Sequence, residues 1–192
     1  MNKKRLISIV VYLFLGFNSY SQSLNKFAED YVKSFAKDTL VNNLAKHNIC
    51  KIEADFNSDG ILDLAFSDTY LCGAHACDWE IYLGLENESY SFFSTLWFSN
   101  YAIKIDSISK GVSKIYVYDK AGGGIGDIIE YKLSLSEGIK EISSRIIYPN
   151  TSPENDDYKY YKEIFYKSVL IDSCVNISDY LKTKKIHWKK AY

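Results

Sequence analysis

Apolar residues recur every three or four positions between Ser23 and about His47, with Lys, Glu and Asp between them. This spacing predicts an amphipathic helix with one face on a core. A break near Asp38 and Thr39 is compatible with two shorter helices. The apolar positions are Leu24, Phe27, Ala28, Tyr31, Val32, Phe35, Leu40, Val41 and Leu44.

The hydrophobic period changes to two at Cys50, which predicts strands. The first two are Cys50–Phe56 and Ile61–Phe66, and the polar residues between them form a turn. Turn residues also separate the later candidates, so the pattern indicates an antiparallel meander or sandwich. Tyr158–Leu170 is compatible with either a helix or a strand. The later strand candidates are Trp79–Gly84, Tyr90–Phe98, Tyr101–Ile105, Lys114–Asp119, Ile128–Leu135 and Lys140–Ile147.

These elements predict an α+β fold in which an N-terminal amphipathic helix packs on a mostly antiparallel β meander or sandwich. The 192 residues suffice for one domain with a real core. We expect a single β-rich domain over residues 22–192, made of a helical segment (22–48), a sheet core (50–148) and a C-terminal segment (158–192). The 17 tyrosines agree with this, because tyrosine favours half-buried sheet faces.

The first residues have the layout of a signal peptide. A basic head, Met1–Arg5, precedes the apolar run Leu6–Phe17, and small residues at 19 and 21 suit cleavage after Ser21. The apolar run is shorter than the roughly 20 residues that a membrane-spanning helix needs. We therefore expect residues 1–21 to be removed and the protein to be exported, to the periplasm or to the cell surface and medium, with no transmembrane segment in the mature chain.

Removal of residues 1–21 changes the charge balance. Lys3, Lys4 and Arg5 are lost with no acidic residue, so 23 basic residues become 20 against 24 acidic ones, a net charge of about −4. A mildly acidic protein has no global electrostatic reason to bind nucleic acid, and we expect none as a partner. The lysine-rich segment Lys182–Lys190 is more typical of a solvated edge strand than of a site for an anionic polymer.

Four cysteines in an exported chain predict two disulfides, and the sequence allows three pairings. We favour Cys72–Cys77, which closes a tight loop, together with Cys50–Cys174. A zinc site made of Cys50, Cys72 and Cys77 with His47 and His75 is the alternative, but its spacing fits no standard zinc finger. Catalysis by Cys72 or Cys77 with His75 or His187 has no local sequence support, and a disulfide would abolish it.

The segment Asp55–Asp63 places oxygen donors at the spacing of a calcium loop. Asp55, Asn57, Asp59 and Asp63 occupy its first, third, fifth and ninth positions, and the carbonyl of Ile61 can supply the seventh. Calcium takes six to eight oxygens at flexible geometry, whereas magnesium demands a stricter octahedron and zinc prefers nitrogen and sulfur. The sequence therefore predicts one calcium ion. The alternative is a plain turn whose side chains bond only backbone amides.

The loop differs from an EF-hand, because the twelfth position is Phe66 rather than a bidentate glutamate and its flanks are predicted strands. The loop therefore needs another oxygen from water or from elsewhere in the chain, where Asp68, Asp78 and Glu80 are equal candidates. The run Ala54-Asp-Phe-Asn-Ser-Asp-Gly-Ile-Leu-Asp-Leu-Ala-Phe66 resembles the FG-GAP/VCBS calcium loop of integrin-α-like and exported bacterial proteins. That resemblance implies a hairpin connection and adhesion or ligand binding. Family members usually carry several such repeats as a propeller, and this chain shows one.

The stretch Cys72–Leu83 is also similar to uncharacterised exported bacterial proteins that pair one such loop with a Cys-Gly-x-x-x-Cys turn. That similarity implies an architecture and no activity.

No catalytic motif is present. The glycine-rich run Ala121–Asp127 lacks the Gly-Lys-Ser/Thr ending of a phosphate loop and precedes a predicted strand, which favours a hairpin loop. We expect a non-catalytic, calcium-binding envelope protein with a binding or structural role, its ligand an unknown protein or glycan. The alternatives are an exported hydrolase with unrecognised catalytic residues, whose pocket would gather His75 or Asp127 with a carboxylate, and an inhibitor or immunity-type protein that acts on an exported enzyme.

Overall fold

The computed structural model describes residues 24–37, 46–70, 72, 76–98, 103–148, 152–165 and 173–190. The predicted signal peptide and His75 lie outside these residues. Three helices occur in the described part: α1 (24–37), α2 (Asp156–Phe165) and α3 (Ile177–Thr183). The predicted N-terminal helix is thereby confirmed, and its continuation over residues 38–45 lies outside the described part.

Two antiparallel sheets form the centre of the molecule. The larger sheet has the strand order β10-β9-β1-β2-β3-β4, and the smaller has the order β5-β6-β7-β8. In chain order the described strands are β1 Asn48–Ala54, β2 Asp63–Asp68, β3 Cys77–Gly84, β4 Tyr90–Phe98, β5 Ile103–Ser109, β6 Val112–Gly122, β7 Ile125–Ser134, β8 Gly138–Ile147, β9 Ser173–Asn176 and β10 Lys189–Lys190.

The main core lies between the two sheets. Strand β3 shows how the period of two produces it: Trp79 and Ile81 face inward and are fully buried, whereas Glu80 and Tyr82 point to the other face. Ile52 of β1 and Ile115 of β6 belong to the same cluster, which therefore joins both sheets. The predicted α+β fold with an antiparallel sandwich is confirmed.

Each sheet carries a helix on its outer face. Helix α1 buries Leu24, Ala28 and Val32 against the larger sheet. The ring of Tyr31 stacks on Phe66 with 4.2 Å between ring centroids. Helix α2 packs on the smaller sheet, where its Phe165 joins a separate apolar cluster. The tyrosine-rich segment that the sequence left open is therefore helical as far as Phe165.

Both favoured disulfides are present. Cys50–Cys174 joins β1 to β9, whose residues 50 and 174 face each other in the antiparallel register. Cys72–Cys77 closes the connection between β2 and β3. Because all four cysteines are bonded, neither the zinc site nor a cysteine nucleophile survives as an alternative.

Candidate metal centre

The predicted calcium loop is the connection between β1 and β2. These strands pair in an antiparallel register that ends with Ala54 opposite Asp63, so the loop is the tip of a hairpin. Two residues turn the chain in the left-handed region, Ser58 at φ 59° and Gly60 at φ 91°. Glycine adopts this conformation without the steric cost that a β-carbon imposes.

The polar side chains at the tip bond to the backbone of the same loop. Asp55 accepts the N–H groups of Asp59 at 3.1 Å and of Gly60 at 2.9 Å. Asn57 Oδ1 accepts the N–H of Asp59 at 3.0 Å, and Asp59 Oδ1 accepts that of Ile61 at 2.8 Å. Carboxylate and amide oxygens keep further lone pairs after such bonds. The structure therefore gathers Asp55, Asn57 and Asp59 around one turn and joins the backbone of Ile61 to their network.

Asp63 lies beneath the turn and is fully buried. Its Oδ2 accepts the N–H of Phe56 at 2.7 Å, and its Oδ1 accepts the N–H of Gly84 at 2.8 Å. The carboxylate thus ties the base of the loop to the end of β3. The sequence alone does not predict the hydrogen bond from Gly84 to Asp63, because this bond depends on the pairing of β2 with β3.

Burial raises the pKa of Asp63 to about 7. The two backbone N–H groups oppose this rise, because they stabilise the carboxylate, whereas the charges of Asp59 and Asp55 add to it. Among the described residues, no lysine, arginine or histidine forms an ion pair with Asp55, Asp59 or Asp63. The loop therefore concentrates negative charge that no described side chain of the protein neutralises.

The loop is also anchored to the smaller sheet. Phe56 is fully buried in the main core, and its carbonyl oxygen accepts a hydrogen bond from the Ser113 hydroxyl. The carbonyl of Ser58 accepts the N–H of Gly111 at 3.3 Å. Gly111 and Ser113 belong to the hairpin between β5 and β6. The loop therefore bridges the two sheets at one end of the sandwich.

Two of the three candidates for an additional calcium ligand, Asp68 and Glu80, bond to other side chains away from the loop. Asp68 pairs with the buried ring nitrogen Nδ1 of His47 at the other end of β2. Glu80 accepts the hydroxyl of Tyr82 at 2.8 Å and that of Tyr31 at 3.1 Å. Asp78 lies near the start of β3, whereas Asp63 contacts its last residue. No group of three His, Cys, Asp or Glu side chains in the described part is arranged to hold a metal, although two of the five predicted ligands are of other kinds, an asparagine and a carbonyl.

The glycine-rich run Ala121–Asp127 is a hairpin tip, as predicted. Gly123 and Gly124 have positive φ, and strand β7 follows directly. Asp127 lies opposite Asp119 in the register of β6 and β7, and its Oδ1 is buried without a hydrogen-bond partner among the described residues. The sequence pattern alone does not predict that Asp119 and Asp127 lie opposite each other, because strand register decides which residues pair.

No protein-family model, curated protein or solved structure matches the chain. The resemblance of Ala54–Phe66 to the FG-GAP/VCBS loop therefore stays a prediction. Within the described residues, no helix combines the length and the apolar character needed to cross a membrane.

Proposed function

We propose that the protein is an exported, calcium-binding, non-catalytic component of the bacterial envelope with a binding or structural role. The observation that carries the proposal is the β1–β2 hairpin tip, where Asp55, Asn57 and Asp59 share one tight turn above the buried Asp63 and no described side chain forms an ion pair with these carboxylates. The two disulfides support export, because such bonds persist in oxidising compartments.

The donor set suits calcium. The five donors are all oxygens, from Asp55, Asn57, Asp59, Asp63 and the carbonyl of Ile61. Calcium takes six to eight ligands, so water or a further oxygen completes the set. Asn57 is itself buried, at 1% exposure, so its side-chain amide is a preorganised polar group rather than a solvated one. Bound calcium supplies two positive charges that offset the cluster of carboxylates.

The position of the loop supports a structural effect of binding. Phe56 inserts into the core between the sheets, and Ser58 bonds to the hairpin that joins β5 and β6. An ion that binds only the folded loop stabilises it by an amount that grows with the logarithm of concentration over the dissociation constant. Calcium at the tip would therefore hold the two sheets together at that end.

A thermal melt in EDTA, then in millimolar calcium and in millimolar magnesium, tests the proposal directly. At a calcium concentration about 100 times the dissociation constant, the expected gain is about 2.7 kcal/mol, or several degrees for a domain of this size. We expect the rise with calcium and a smaller one or none with magnesium. Equal melting temperatures in all three conditions would reject calcium binding at the loop.

Two single variants assign the effect to the loop. Asp59→Ala should remain folded but lose the calcium-dependent rise, because it removes a ligand at the fifth position. Asp156→Ala is the matched control, since it also deletes one aspartate charge, at a side chain that is 95% exposed at the start of α2. A calcium response that survives in Asp59→Ala as fully as in Asp156→Ala would place the ion elsewhere.

A further inference from the structure

A second candidate binding site lies in the C-terminal part of the chain, between residues 175 and 189. Strand β9, helix α3 and the segment that returns into β10 enclose a cavity of about 230 Å³. Its wall includes the partly exposed side chain of Tyr180, whereas Val175, at 2% exposure, contributes almost no exposed surface. A cavity of this size has room for several water molecules or for a small organic molecule.

The rim of this cavity is basic. Lys182, Lys185 and Lys189 line it together with His187, and Asp179 is the one carboxylate in the lining. Lys189 lies 3.6 Å from Asp179, whereas Lys182 and Lys185 form no ion pair within the described part of the chain. Three lysines against one aspartate leave two positive charges on a concave surface of a protein that is otherwise mildly acidic.

The cavity wall is held in place by fixed contacts. Thr183 Oγ1 lies 3.0 Å from the carbonyl oxygen of Asp179 and accepts the N–H of Lys185 at 3.2 Å, which folds the returning segment against α3. Strand β10 then pairs with β9, and β9 is bonded to β1 through the Cys50–Cys174 disulfide. The lysines therefore project from a constrained backbone rather than from a free tail.

We infer that this cavity binds the phosphate group of a small molecule. A phosphate monoester carries a charge of about −1.5 to −2 at pH 7, which matches the two excess lysine charges better than a single carboxylate does. Lysine is an established phosphate ligand that acts as a point charge. The partly exposed side chain of Tyr180 receives the substituent of the phosphate ester. The site is separate from the calcium loop and goes beyond the proposed function.

A titration with inorganic phosphate, followed by amide chemical shifts at constant ionic strength and in EDTA, tests the inference. We expect saturable shifts confined to residues 175–189. Lys185→Gln should weaken phosphate binding about fivefold, the effect of losing one exposed charge contact of about 1 kcal/mol. Shifts that do not saturate, or that spread over the whole surface, would overturn the site. Because calcium is chelated, failure here leaves the calcium proposal untouched.

Lys184→Gln is the matched control. Lys184 is the adjacent lysine, it does not line the cavity, and its Nζ lies 5.9 Å from the centroid of the Tyr180 ring. Binding should change less than about twofold in this variant, since only long-range, screened attraction is lost. Equal weakening by both substitutions would show a diffuse basic surface and reject the cavity.

The source of the phosphate is a separate arm of the same experiment. Vesicles of phosphatidylglycerol and phosphatidylcholine present the group as a lipid headgroup. In one outcome, the protein sediments with these vesicles and inorganic phosphate abolishes this sedimentation. If Lys185→Gln also weakens sedimentation more than Lys184→Gln does, the result supports the same site with a lipid headgroup as its ligand. Saturable binding of free phosphate without sedimentation supports a soluble phosphate ester. Sedimentation that phosphate does not affect would contradict the inference.

Discussion

Asp63 has two roles in the loop. Its carboxylate oxygens accept the N–H of Phe56 in the loop and the N–H of Gly84 at the end of β3, and the same carboxylate is a predicted calcium ligand. Complete burial makes the charge costly when no cation is bound, which is why its pKa is raised to about 7. Protonation removes this electrostatic cost, and the proposed calcium ion would offset the same charge.

This arrangement predicts the pH dependence of stability in EDTA. The unfolded pKa of aspartate is about 3.9, and the folded one is about 7, so the folded state binds the proton more tightly. The free energy of unfolding should then fall as the pH rises from about 4 to about 7 and level off above that. Urea denaturation at pH 5, 6, 7 and 8 measures this slope.

The comparison with Asp63→Asn isolates the contribution of this carboxylate. The variant is expected to be less stable overall, because an amide group replaces an acceptor of a backbone N–H, but it should lack the part of the slope that Asp63 causes. All other titratable groups are the same in both proteins, so the difference between the two slopes belongs to Asp63. Identical slopes in the two proteins would show that Asp63 is ionised throughout this range.

At the residue scale, the spacing of residues along the sequence predicts contacts within one turn. It does not predict contacts that depend on strand register. Asp55, Asn57 and Asp59 lie within five residues, so their shared turn follows from the positions themselves. The bond from Gly84 to Asp63 and the opposition of Asp119 and Asp127 both depend on which residues pair across a sheet. Period-two patterns do not determine that pairing.

Among the elements, the eight strands between residues 48 and 147 were predictable because each shows an alternating pattern bounded by turn residues. Strand β10 lies at the edge of the larger sheet, within the segment Lys182–Lys190 that the sequence favoured as an edge strand. Strand β9 and helix α3 were not predicted, because they contain four and seven residues, too few for a periodic signal. Strand β9 forms because it pairs with the edge of β1 and because Cys174 is bonded to Cys50 there. Both are tertiary contacts, which a local sequence pattern does not show.

The two disulfides should differ in their effect on these elements. In the chain-entropy model, loss of a bridge that closes 124 residues costs about 5 kcal/mol, and loss of one that closes five costs about 2 kcal/mol. Replacement of Cys50 and Cys174 by alanine should therefore lower the urea midpoint far more than replacement of Cys72 and Cys77. Losses of equal size would indicate that native contacts, rather than loop closure, determine the contribution.

At the scale of the molecule, the described residues form four successive layers: α1, the larger sheet, the smaller sheet and α2. The hairpin tip lies where the two sheets meet, since Phe56 enters their common core and Ser58 bonds to the hairpin between β5 and β6. A change in the loop, such as binding of the proposed calcium ion, should therefore affect both sheets through these hydrogen bonds. Amide exchange measures the opening of each bond separately.

Calcium should slow amide exchange along these bonds. The N–H of Gly111 donates to the carbonyl of Ser58 in the loop, and the N–H of Gly84 donates to Asp63, so both open only when the loop moves. The N–H of Lys184, which donates to Tyr180 at 2.7 Å at the end of α3, is a remote control. Exchange measured by NMR with and without calcium should slow at Gly84 and Gly111 and stay unchanged at Lys184. Slowing of equal size at all three amides would mean that calcium acts on the stability of the whole protein, and no change at Gly111 would mean that the loop does not couple the sheets.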